Sequence, residues 1–347
     1  LSRLVFINHI ALGAIALAIG SELEWKRVKV LGRGIFFIVV FEALGAFAIV
    51  TTGVYLIWHD LSLAFIFGSV SSATAPAATV AVIQQYKSRG PLTKTILAVV
   101  GIDDAISFII FAFALALVKG NLQGSAFDIT QGIVAPLIEL AISVSIGLVL
   151  GFIGARLMAS SRDQEAILFI LGALILWIST FANKLDASEL IAAMTAGIMI
   201  VNIYPNLRNR MRKAFSAFMP LFYALFFIIG GAHLHLESLP VVWFLSIVYF
   251  LLRSAGKIVG AFTGAQFARS LPKIKNYIGF ALLPQVGAAI ALALVVQDEF
   301  GSGAYGVLGQ ELASKTFNVL LITTLLTEFI GPYLTKMLLV KAGEAKA

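Results

Sequence analysis

The chain has 347 residues, of which 60% are hydrophobic and only 12% charged; it has no cysteine and a formal net charge of +7. About a quarter of a soluble globular chain is charged, so this one has too little charge to cover a surface facing water. A disulfide scaffold and a thiolate metal site are excluded as well. Mean hydropathy is +0.97, and apolar runs close to the roughly 20 residues of a membrane-crossing helix recur from end to end. The sequence predicts an all-α polytopic membrane protein. No charged n-region or small-residue cleavage site precedes the first apolar run, so no signal peptide is expected.

In chain order, eleven spans are predicted, at 4–21, 33–58, 61–84, 92–118, 130–157, 164–182, 188–204, 213–232, 240–268, 275–297 and 312–338. Their short joints favour antiparallel neighbours. Lys and Arg alternate between the joints. Nineteen fall on one side, with Lys26, Arg27, Lys29 and Arg33 after the first span and Arg208, Arg210, Arg212 and Lys213 after the seventh. The other side holds only Arg3, Lys119, Lys184 and Lys315. By the positive-inside rule, the C-terminus is cytoplasmic and the N-terminus external. The net charge is therefore a topology signal and implies no nucleic-acid partner. Arg208–Lys213 is a secondary candidate for contact with anionic lipid. Trp25, Trp58 and Trp243 fall near span ends, as interfacial anchors do. Gly256, Gly260 and Gly264 form a small-residue ridge suited to close helix packing, as do Gly147 and Gly151.

Some charges lie at membrane depth, where ionisable groups are costly and mark an ion or proton path. Asp103 and Lys257 each sit about 12 residues from the inner end of their spans, about 18 Å deep at the helical rise. A lysine and two aspartates, Asp103 and Asp104, then meet near the midplane if those spans are neighbours. Arg253 and Glu139 both lie about 24 Å from the inner side, which suggests a second, structural pair. Glu42 lies about 9 residues in, and paired, snorkelling and protonated states are all open to it.

Two spans carry a proline near the middle: Ser71-Ser72-Ala73-Thr74-Ala75-Pro76-Ala77 and Leu282-Leu283-Pro284-Gln285-Val286-Gly287. Proline removes an intrahelical hydrogen bond and clashes with the preceding turn. Each broken span is the middle one of three, and the two triplets run in opposite directions. That is the pattern of an inverted repeat with two crossed discontinuous helices, as in secondary transporters. Paired aspartates beside the crossing make a hard oxygen site for a small cation, and no His or Cys cluster suggests a transition metal.

Thr74-Ala75-Pro76-Ala77, Gly101-Ile102-Asp103-Asp104, Gly256-Lys257-Ile258-Val259-Gly260 and Leu283-Pro284-Gln285, in that order, resemble the monovalent cation–proton antiporters. The match is to the paired-aspartate branch of the sodium/proton exchanger superfamily and covers essentially the whole chain. The resemblance implies a mobile core (32–119 and 240–340), a scaffold and dimerisation domain (1–25 and 164–234) and a linking helix (130–158). Relatives often have one or two further N-terminal spans. The resemblance also implies residue roles. Asp104 is the main ion-binding carboxylate, and Asp103 is its partner and pairs with Lys257. Thr74 is the polar group at the break, and Asp103 and Asp104 hold the sodium ion. Gln285 stands where some relatives hold a charged residue. Pro76, Pro284, Arg253 and Glu139 are supporting candidates. A homodimer in a bacterial or archaeal inner (plasma) membrane is implied, with no cofactor beyond the transported ions.

The expected function is exchange of Na+, and also Li+, for protons by alternating access. The alternatives are K+/H+ exchange and sodium-coupled organic-anion symport on the same fold. A channel suits an occluded charge cluster poorly. An intramembrane aspartyl protease needs two carboxylates from different helices sharing a proton. Asp103 and Asp104 instead point about 100° apart on one helix. Gly301–Gly306 spells G-x-G-x-x-G with no strand before it, so dinucleotide binding is not expected. His9, His59, His233 and His235 form no constellation.

Overall fold

The computed structural model describes residues 13–14, 16–18, 20–21, 32–122, 135–161, 163–185, 187–215, 239–301 and 303–345. The spans expected at 4–21 and 213–232 lie largely outside these residues, as do His9, His233 and His235. No strand occurs among the described residues. Six of their helices are long and apolar enough to cross a membrane: 34–58, 91–122, 138–160, 164–184, 242–267 and 306–341.

The chain divides into two compact units, residues 1–29 with 124–232 and residues 30–123 with 233–347. The first contains α5 (Ala135–Ser160), α6 (Gln164–Lys184) and α7 (Glu189–Ile203). The helix expected to link domains is thus, in its described part, α5 of this unit, packed on α6 and α7. Small residues set the contact. A Cβ at Gly151 would lie 2.8 Å from the Ala196 Cα, and one at Gly147 would lie 2.6 Å from the Thr195 Cβ. Only a bare backbone allows that approach. Part of the basic run after α7 also has a structural use. Arg210 donates to the carbonyls of Ser161 (2.8 Å) and Asp163 (3.1 Å) at the α5–α6 corner.

The second unit holds α1 (Gly32–Trp58), α2 (Leu61–Ser71), α3 (Pro76–Gln85) and α4 (Pro91–Leu122). Its later half holds α8 (Leu239–Phe267), α9 (Pro272–Ala281), α10 (Gly287–Gly301) and α11 (Gly306–Lys341). The α1–α2 corner is tight: His59 adopts φ +53°, and the Asp60 side chain accepts the Leu63 amide at 3.0 Å to cap α2. Each predicted proline-bearing span is two helices, not one. Ser69, Ser71 and Ser72 turn their hydroxyls back onto the carbonyls of Ile66, Gly68 and Ser69, a local bonding that competes with the helix. Ala75 is extended at φ −95°, ψ 105°, as the residue before a proline prefers. Pro76 then starts α3, where its missing N–H leaves nothing unsatisfied.

The most extensive helix–helix packing in this unit is between α1 and α8. Gly256, Gly260 and Gly264 of α8 face residues 37–46 of α1: a Cβ at Gly256 would lie 2.7 Å from the Ala46 Cα, and one at Gly264 2.6 Å from the Phe37 oxygen. The glycine ridge is therefore a packing seam. It brings Glu42 on α1 beside Lys257 on α8. One end of the unit is closed by a buried cluster including Leu92, Ile96, Val99, Ile274, Ile278, Leu339 and Ala342. This cluster joins α4, α9 and the end of α11.

Candidate functional site

The two breaks touch. The Ala75 amide donates to the Pro284 carbonyl at 2.8 Å, the Gln285 side-chain Nε2 to the Val70 carbonyl at 2.9 Å, and the Thr79 hydroxyl to the Ala281 carbonyl at 3.1 Å. Backbone groups freed by the breaks need partners in a dry interior, and here each break supplies them to the other. Thr327 of α11 adds a further support, donating to the Gln285 carbonyl at 3.2 Å. Gly331 leaves room for Pro284: a Cβ there would lie 2.5 Å from its Cγ.

Two fully buried cations of α8 meet this junction. The Arg253 guanidinium donates to three carbonyls, Ser71 at 3.1 Å, Leu283 at 2.7 Å and Ala73 at 2.8 Å. Two of these belong to the first break and one to the second. The sequence reading matched Arg253 with Glu139 by depth. All three guanidinium nitrogens instead bond the breaks.

Lys257, one turn further on, has different neighbours. Its three N–H groups are shared among four acceptors: Glu42, the Ser72 carbonyl, the Thr74 hydroxyl at 2.7 Å and Asp103 Oδ2 at 3.1 Å. The expected meeting of Lys257, Asp103 and Thr74 is therefore present. Glu42 completes it and is fully buried; depth along the span had not assigned it a partner. Asp104, the next residue of α4 after Asp103, is partly buried.

At this junction three carboxylate oxygens are buried without a hydrogen-bond partner: Glu42 Oε2, Asp103 Oδ1 and Asp104 Oδ1. Buried carboxylate oxygens are costly unless paired. If all groups are ionised, the three carboxylates outnumber the two buried cations by one, leaving one negative charge to be met by a proton or a bound cation. Among the described residues no group of three or more His, Cys, Asp or Glu side chains is arranged to hold a resident metal ion. Gln285 and Tyr249 bond each other at 3.0 Å beside the junction, so the neutral Gln285 is a support of the second break.

Comparison with known proteins agrees with this arrangement. The family model for the transmembrane sodium/hydrogen exchangers matches residues 4–341. The ammonium/H+ antiporter subunit AmhT of Alkalihalophilus pseudofirmus is 22% identical over 83% of this chain and 73% of its own length. The K+/H+ antiporter subunit KhtU of Bacillus subtilis is 21% identical over 80% of this chain, which spans 64% of that relative. The fold is similar to that of the sodium proton antiporter MjNhaP1 from Methanocaldococcus jannaschii at pH 8, with a TM-score of 0.77 at 18% identity over 97% of this chain and 85% of that one. An electron-microscopy structure of the same antiporter gives a TM-score of 0.70 at 17% identity, covering all of this chain and 87% of that one. The family and the structural neighbours are transporters, not enzymes. The chain is an integral membrane protein that belongs to the transmembrane sodium/hydrogen exchanger family of cation/proton antiporters.

Proposed function

We propose that the chain exchanges a monovalent cation, Na+ or Li+, for protons at Asp104 and Asp103, with Lys257, Thr74 and Glu42 completing the site. The observation that carries this reading is the set of three buried carboxylate oxygens without partners beside a buried ammonium. A proton and a dehydrated cation satisfy such oxygens equally, so each displaces the other. That competition couples the two fluxes without any further device. When Asp104 binds the cation, Asp103 is shared between the ion and Lys257. When it binds a proton, Asp103 returns to Lys257.

The second compact unit is then the moving core, because both breaks and the buried charges belong to it. Its two broken helices are read as the crossed discontinuous pair of an inverted repeat, within an eleven-span plan that ends in the cytoplasm. The first unit is the scaffold and the surface for a homodimer. The chain has no cysteine, so single-cysteine variants report the accessibility of each face without background labelling, and crosslinks between scaffold positions test the dimer.

A second reading, K+ or ammonium as the cation, is favoured by the names of the two sequence relatives. Proton flux in sealed proteoliposomes under Na+, Li+, K+ and NH4+ gradients decides between them. Replacing Asp104 with Asn is expected to abolish cation-dependent proton flux with every cation. Undiminished exchange by that variant refutes the assignment.

A further inference from the structure

Helix α4 carries Asp103 and Asp104, and its inner N-terminus has no cap of its own. Residue 90, before the helix, is a glycine, and Pro91 is the first helical residue. A helix start leaves its first amides unsatisfied, and a side-chain oxygen just before the helix normally accepts one or two of them. Here the acceptor comes from about 250 residues away. Glu344, in the turn after α11, accepts the Leu92 amide through Oε1 at 2.8 Å and the Thr93 amide through Oε2 at 2.7 Å. The Thr93 hydroxyl donates to the same Oε2 at 2.7 Å, so it accepts from Ser88 across the 2.7 Å contact between the two hydroxyls.

The local sequence makes room for this visitor. A Cβ at Gly90 would sit 2.5 Å from both the Cγ and Oε1 of Glu344. The turn that presents Glu344 is itself held on two sides. Its Gly343 adopts φ +72°, the Arg89 amide donates to the Glu344 carbonyl at 2.9 Å, and the Lys273 ammonium donates to the Ala342 carbonyl at 2.7 Å. Lys336 also lies over the Tyr86 ring at 4.7 Å. One turn of chain thus ties the inner ends of α3, α4, α9 and α11. Those are inner-end elements of both broken helices and of the aspartate helix. A negative carboxylate at the positive end of α4 gains from the helix dipole as well as from its hydrogen bonds.

We propose that Glu344 is a positioning residue for the ion site: by capping α4 from the end of α11 it sets the axial position of α4, and so the placement of Asp103 and Asp104 against Lys257. The distance makes this mechanical. Asp103 is 11 residues beyond Leu92, about 17 Å along a helix. A helix is stiff over that length, so a slip or rotation of its start is carried to the aspartates. The Asp103–Lys257 contact of 3.1 Å has little tolerance for such a shift. The inference rests on the reading that Asp103 and Asp104 bind the exchanged cation.

The test compares wild type, Glu344→Gln, Glu344→Ala and Gly90→Ala in proteoliposomes, reading apparent KM for the cation, maximal flux and amide hydrogen exchange at Leu92 and Thr93. Capping interactions of ordinary strength correspond to roughly a factor of ten in an equilibrium constant. Glu344→Ala is therefore expected to raise the cation KM about tenfold while maximal flux per correctly inserted transporter stays within about twofold. Gly90→Ala, which displaces the carboxylate without removing it, is expected to move KM in the same direction, and Glu344→Gln to lie between it and wild type. Faster exchange of the two amides with unchanged KM overturns the proposal and leaves a local cap only. A loss of flux that follows protein amount, with unchanged KM, overturns it too. Absence of cation-dependent flux in wild type would instead refute the reading of the site itself.

Discussion

Arg253 and Lys257 stand one turn apart on the same face of α8, both fully buried, yet their surroundings differ in kind. Arg253 meets only backbone. Its planar fork bonds Ser71, Ala73 and Leu283, the carbonyls that the two breaks leave open. Lys257 meets two carboxylates, a hydroxyl and one carbonyl. Guanidinium keeps its charge at every working pH and presents several donors in a rigid array, which suits a fixed cross-brace. An ammonium is a compact point charge on a flexible stem, which suits the proposed exchange site. On the proposed reading the helix separates two tasks one turn apart, bracing the breaks and balancing the site.

The widest gap between the two residues is expected in stability. Arg253→Met leaves three carbonyls unsatisfied, at about 1–3 kcal/mol for each buried group. It should give the largest fall in the melting temperature of purified protein, and adding Glu42→Gln should not restore it. Restoration by Glu42→Gln would mean that Arg253 serves the carboxylates, and the contrast would collapse. Next in size is Lys257→Ala, which leaves Glu42 and Asp103 buried without their cation at a cost of about 3–5 kcal/mol. Here Glu42→Gln is expected to recover much of the stability but not the exchange. Proton flux under voltage clamp in that double variant then shows whether Lys257 carries a proton or only balances charge.

Smaller effects test the frame around the pair. Gly260→Ala places a methyl against the Phe41 carbonyl well inside contact distance, which should cost about 1–3 kcal/mol as overpacking. Because the same seam positions Glu42, cation-dependent flux should fall along with the melting temperature. Unchanged flux would detach Glu42 from the site. The smallest effect is expected for Tyr249→Phe. It removes the hydroxyl bonded to Gln285, a net loss of about 1 kcal/mol, and should lower thermal stability slightly while leaving exchange intact. A large loss of exchange would move Tyr249 and Gln285 from the brace into the site.

Much of the site was legible because charge is scarce in this chain. Asp103, Asp104 and Lys257 stand out against apolar neighbours, and the prolines at 76 and 284 mark where the helices stop. Depth along a span follows from residue number, so Lys257 and Asp103 were matched correctly at one level. Depth carries no information about lateral position, however. Matching by depth alone joined Arg253 to Glu139, whereas the guanidinium bonds the breaks. The same gap left Glu42 without an assigned partner until the α1–α8 seam brought it to Lys257. Glu344 left no sequence signal, since a glutamate in a polar C-terminal segment looks solvated and its partners are about 250 residues away.

The sequence by itself determined that this is a membrane protein, where its helices are interrupted, and which ionisable groups lie at depth. These follow from local physics: apolar run length, proline geometry and the cost of burying charge. Only the tertiary structure decided which groups share a partner. That choice depends on how closely two helices approach and on which faces they turn to each other. Here the glycine seam of α8 and the joining of the two breaks set both. They put Arg253 on the carbonyls of the breaks, and Lys257 between Glu42 and Asp103.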